Sequence, residues 1–125
     1  MPGIPSNTRL YLQYRLWIAD MNADITVLRI FDDHLGELSS LKKSAEVKKA
    51  LEDFSKQFSG LRNEIDELKH EMHLVKMRLA ANLRRANAEE QNIASTNNHS
   101  GLEKRYTAFR KKFDKLKNDF VEFEP

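Results

Sequence analysis

The sequence predicts an all-α protein whose long amphipathic helices pack against one another as antiparallel coiled coil, and two observations carry the prediction. Apolar residues recur at alternating steps of four and three along three separate stretches, the spacing that holds a seam on one side of a helix. Helix breakers are scarce, with 4 glycines and 3 prolines in 125 residues, while 32% of residues are charged and 40% hydrophobic, the balance of an ordered helical chain. The expected architecture is an antiparallel helical hairpin or three-helix bundle with a long central helix, elongated, in a single domain over residues 1–125.

The first seam reads Leu10, Tyr14, Trp17, Met21, Asp24, Leu28, Phe31, Leu35 and Leu38, giving helix A over about residues 7–40. Ser6 or Asn7 can cap its first turn, and Pro5 cannot extend it backwards. The second seam, from Val47 through Leu51, Phe54, Phe58, Leu61, Ile65, Leu68, Met72 and Val75 to Leu79, is apolar at every position. It defines helix B over about 45–94, with Ser44 as cap and Glu46 placed to oppose the positive end of the helix dipole. Beyond Leu79 small residues replace large ones, and the run from Ser95 to Gly101 gathers turn formers that read as a loop. The third seam, Leu102, Tyr106, Phe109, Phe113, Leu116, Phe120 and Phe123, gives helix C over about 102–122.

Antiparallel pairing about these short connections sets A against residues 47–79 of B and C against about 72–93, so that Phe109 and Phe113 face Ala86 and Asn82, large against small. Helix A carries more apolar surface than one neighbour can cover: a second stripe of Tyr11, Ile18 and Ile25, and a third of Leu16, Ala23 and Ile30. That excess must meet a third helix, another copy of the chain or a different protein. Tyr11, Leu16, Ile18, Ile25 and Ile30 are therefore the candidate interaction surface.

Composition narrows the chemistry. The absence of cysteine removes disulfides, thiolate metal sites and cysteine nucleophiles. No window approaches a membrane span and no leader pattern precedes helix A, so a cytoplasmic protein is the expectation. Gly-rich phosphate loops, nucleophile elbows and paired metal-binding histidines are likewise missing, so no enzyme activity and no cofactor are expected.

Three features invite a functional reading. Asp24, alone among apolar seam residues, is either a buried ligand or acid/base group, or a polar residue that sets register by pairing with Arg62 or is rotated to the edge of the seam; the latter reading is favoured. Glu67 and His70 have the spacing of a di-metal helix motif, with His73 nearby, but one pair facing away from the seam falls short of such a site. The stretch from Lys104 to Lys117 carries a local charge of +6 against −4 for the remainder of the chain. Its cations, Lys104, Arg105, Arg110, Lys111, Lys112, Lys115 and Lys117, could contact nucleic acid or an anionic surface. The favoured alternative has them flanking the seam and pairing with Glu71, Glu89 and Glu90, because every aromatic in C is a seam residue. Gly60, inside helix B and away from its seam, permits either close approach of another backbone or a bend.

The segment from Leu16 to Asn22, continuing through Leu28-Arg29-Ile30-Phe31, together with Ile65-Asp66-Glu67-Leu68-Lys69-His70, resembles a family of short bacterial α-helical proteins with no assigned activity, cofactor or partner. The resemblance covers roughly residues 10–75 and implies a helical hairpin. The chain departs from that family at Tyr14 and Asp33, where members often carry ligand-capable side chains, so no metal site is implied. The resulting expectation is a non-enzymatic interaction or scaffold module, self-associating through helix A or binding a helical protein partner. Binding of nucleic acid or an anionic surface through helix C is the alternative, and metal binding the third reading.

Overall fold

The computed structural model describes residues 7–41, 44–84 and 97–123. They form three helices, α1 (Asn7–Ser39), α2 (Ala45–Arg84) and α3 (Asn97–Glu122), in a three-helix bundle. The extension of helix B over 85–94, and Glu89 and Glu90 with it, lies outside the described residues. So do Ser6, Ser95 and Thr96. The turn between α1 and α2 is built as its residue types require. Ser40 N–H donates to the Gly36 and Glu37 carbonyls and Ser40 Oγ to the latter at 2.8 Å, closing α1. Ser44 Oγ accepts from the Val47 amide at 3.2 Å, capping α2, with Glu46 in the first turn.

The three seams are the core. Leu10, Tyr14, Met21, Leu28 and Leu35 of α1 meet Leu51, Phe58, Leu61, Ile65, Leu68, Met72, Val75 and Leu79 of α2 and Leu102, Tyr106, Phe109, Phe113, Leu116 and Phe120 of α3, all buried. At one end Phe120 sits among Phe31, Phe54 and Phe58 with ring centroids 4.9 to 5.0 Å away, so one α3 residue joins all three helices.

The arrangement of α3 differs from the expectation in two respects. First, Asn97 to Gly101 are helical, so α3 begins about a turn and a half earlier than the turn formers indicate. Second, α3 does not take a separate stretch of α2. Arg105 pairs with Glu71 and Lys112 with Glu64, while Phe120 reaches Phe54 and Phe58, which lays α3 along the part of α2 that α1 also covers. Phe109 and Phe113 therefore lie beside the 64–71 stretch and not against Asn82, while Ala86 lies outside the described residues. The same contacts make α3 antiparallel to α2 and parallel to α1, where Trp17 meets Tyr106 and Phe31 meets Phe120. A helix with two neighbours buries more of each partner than one docked end to end, and burial of apolar area favours the overlaid arrangement.

Candidate functional site

Helix α1 can be divided by heptad position, since residues seven apart share a side. Trp17, Asp24 and Phe31 all contact α3: Trp17 stacks on Tyr106 at 5.0 Å, Asp24 binds Arg110, and Phe31 meets Phe120. Tyr11, Ile18, Ile25 and Asp32 share the opposite edge, and Asp32 forms an ion pair with Arg62 of α2. That second stripe is therefore turned toward α2, with Ile18 buried and Tyr11 and Ile25 half-buried. Among the described residues the third stripe is left exposed. Leu16 is 52% and Ile30 59% exposed, Ala23 is exposed between them, and Leu12, at 52%, and Ala19 fill the adjoining helical steps. Leu12, Leu16, Ala19, Ala23 and Ile30 thus form one uncharged face opposite the core, about 27 Å long at the helical rise. Of the five candidate interaction residues, Leu16 and Ile30 lie on this face; Tyr11, Ile18 and Ile25 are taken up by the bundle. Leu12 and Ala19 were missed because heptad counting steps over them, although their four-and-three spacing from Leu16 and Ala23 marks them.

Asp24 is 6% exposed and is answered by Arg110, which donates from Nη1 to Oδ1 at 3.0 Å and from Nη2 to Oδ2 at 2.7 Å. The expected partner, Arg62, is taken by Asp32 instead, because the Asp24 heptad edge faces α3 and not α2. Arg110 Nη2 also donates to the Tyr106 hydroxyl at 2.9 Å, which in turn donates to Asp20 at 3.3 Å. The guanidinium carbon lies 5.4 to 5.6 Å from the Tyr106, Phe109 and Phe113 rings. The hydrogen bond to Asp24 holds the guanidinium proton more tightly than usual, and burial pushes the Tyr106 phenol up. Arg110 so held ties α3 to α1, with 28% of its side chain still open to solvent.

The rest of the basic stretch divides. Arg105 and Glu71 are 2.5 Å apart, Lys112 and Glu64 2.9 Å, and Lys115 and Asp119 2.8 Å. Lys104, Lys111 and Lys117 are exposed and have no carboxylate within pairing distance among the described residues. Lys104 and Lys111, with Thr107 and Ala108, edge an open groove whose inner wall is Trp17 and Tyr106.

Glu67, His70 and His73 are exposed, and among the described residues no three histidine or carboxylate side chains converge on a point where a metal could sit. Partial desolvation, with Lys76 and Lys69 close by, pulls His73 below the ordinary imidazole range. At the far end of the bundle the Tyr14 hydroxyl meets His99 Nδ1 at 3.0 Å, both side chains buried, a contact that pins the first turn of α3 to α1. His99 lies in the run read as a loop, although a step of three back from Leu102 continues the α3 seam onto it.

Neither a protein-family model, nor a curated protein, nor a solved structure matches this chain. No described helix is long and apolar enough to cross a membrane.

Proposed function

We propose that the protein is a non-enzymatic helical assembly module that associates with another copy of itself through the outward face of α1. The observation that carries this reading is the stripe of Leu12, Leu16, Ala19, Ala23 and Ile30, exposed along the side of α1 that neither α2 nor α3 covers. A continuous apolar helical face has the form that helix-in-groove and coiled-coil partners use. Its small central residues allow a second helix to approach closely.

Sedimentation equilibrium tests the reading. The chain should have the mass of a dimer or larger at micromolar concentration. Leu16→Glu with Ile30→Glu should return it to a single chain with helicity intact, since both side chains are more than half exposed within the bundle. A wild-type mass equal to one chain throughout the micromolar range would sink the proposal.

A second reading, contact with a phosphate backbone or anionic surface through α3, is supported by Lys104 and Lys111 beside the Trp17 groove. It is the weaker one, because Arg105, Arg110, Lys112 and Lys115 are already engaged by carboxylates.

A further inference from the structure

We propose that the groove between α1 and α3 at Trp17 is a binding site for a small aromatic carboxylate, held by its rings against Trp17 and Tyr106 and by its charge between Lys104 and Lys111. The site is independent of the assembly reading, because it opens between α1 and α3 and not on the stripe of Leu12, Leu16, Ala19, Ala23 and Ile30.

The groove has a volume of about 700 Å³, within the range of clefts that enclose small ligands. Its aromatic wall is fixed in place. Trp17 stacks on Tyr106 with centroids 5.0 Å apart and planes 25° from parallel, and Tyr14 meets the indole edge-on at 5.4 Å. Arg110 holds Tyr106 in turn, since its Nη2 donates to the phenol oxygen while Asp24 fixes the guanidinium. On the α3 edge Thr107 and Ala108, between the two lysines, are small, so the indole is left half-buried with room beside it.

The charge of the groove is one-sided. Lys104, Arg110 and Lys111 line it against a single carboxylate, Glu103, whose charge bears on Tyr14. Arg110 is answered by Asp24, and Asp20, beside it, accepts from Tyr106. Lys104 and Lys111 are exposed, with no carboxylate within pairing distance among the described residues. Seven residues apart, they stand about 10 Å from each other along one side of α3. A neutral apolar molecule would cover the indole and leave both ammonium groups unused. A simple anion would gain little from lysines that water already solvates. A ring system bearing a carboxylate gains at both, because an ion pair beside an aromatic wall is screened less than one in open solvent. Two free cations suffice for one carboxylate and are too few to hold a polyanion against salt.

The probe is 2-naphthoate, followed by heteronuclear NMR on the full chain, whose one tryptophan gives a single indole N–H resonance. That resonance and the amides of Thr107, Ala108 and Lys111 should shift saturably, with a Kd below about 1 mM. 2-Naphthylmethylammonium, with the same rings and the opposite charge, and acetate, with the charge and no rings, should leave them in place. Lys104→Glu combined with Lys111→Glu should weaken naphthoate binding about ten-fold, and Ala108→Leu should do the same by filling the groove. All three side chains are exposed, so urea midpoints should not move. The absence of a saturable shift up to about 10 mM, or equal shifts from the cationic naphthalene, overturns the proposal. So does a short DNA duplex that moves the same resonances at about 150 mM salt, which gives the groove to nucleic acid instead.

Discussion

An aspartate inside a heptad seam is tolerated only where its charge is answered, and Arg110 answers Asp24 with both of its terminal nitrogens. Asp24→Ala should cost about 2 kcal/mol, seen as a lower urea midpoint, because it leaves a part-buried guanidinium with only the more distant Asp114 carboxylate, at 3.9 Å. Asp24→Leu combined with Arg110→Met should fall close to wild type, since an apolar pair of similar size can replace a buried ion pair at little cost. Gly60 makes a separate case. A Cβ built there meets nothing within 4 Å among the described residues, so no described backbone approaches it closely. Gly60→Ala should stabilise the protein by about 1 kcal/mol in the same measurement, through the lower conformational entropy of the unfolded state. Tyr14 supplies the pH dependence. Burial, with Glu103 adding to it and Arg78 opposing, pushes its phenol up to about 12. The folded state then holds a proton that the unfolded chain releases near pH 10, so this contribution is complete below about pH 10 and is lost as the pH rises through about 12. Urea midpoints at about pH 9 and about pH 11 should fall further for wild type than for Tyr14→Phe, with Tyr106 common to both.

At the level of the helices, the seams were legible position by position. Each apolar seam residue is buried or packed against the core, because step counting reports which side of a helix avoids water. The excess of apolar stripes on α1 was legible too, and its meaning is now divided: Ile18 and Ile25 exist because α1 has a second neighbour, whereas Leu16 and Ile30 are left over. Register was not legible in the apolar residues. A phenylalanine on α3 gains as much from Ile65 as from an alanine further along α2, so size matching could not place Phe109 and Phe113. The charges that set the register, Arg105 with Glu71, Lys112 with Glu64 and Arg110 with Asp24, were visible as a basic run for which Glu71 was a named partner, whereas Glu64 and Asp24 were not matched to it. Glu37 stands in the last turn of α1, which holds no base to offset it, so its carboxylate opposes the helix dipole. Glu37→Lys should raise stability by about 0.5 kcal/mol, read as a higher urea midpoint.

For the molecule as a whole, the question is whether the basic α3 or the apolar α1 is the working surface, and the ion pairs bear on it directly. A phosphate contact is favourable because it releases counterions condensed on the nucleic acid, by about 0.9 per contact for a duplex. Cations already paired with carboxylates contribute little to that release. With Arg105, Arg110, Lys112 and Lys115 engaged, Lys104, Lys111 and Lys117 remain from the basic run, so about three contacts is the ceiling for this stretch. The net charge of +2 offers little long-range attraction beyond them. Fluorescence anisotropy with a labelled duplex should therefore show weak binding at low salt, a logarithmic salt slope no steeper than about −3, and no binding at about 150 mM. A slope steeper than about −5, or micromolar affinity at that salt, would mean that α3 exchanges its internal carboxylates for phosphates. The same binding would then loosen the contacts that hold α3 to α1 and α2, and urea midpoints would fall in the presence of the duplex. Under the assembly reading they do not move.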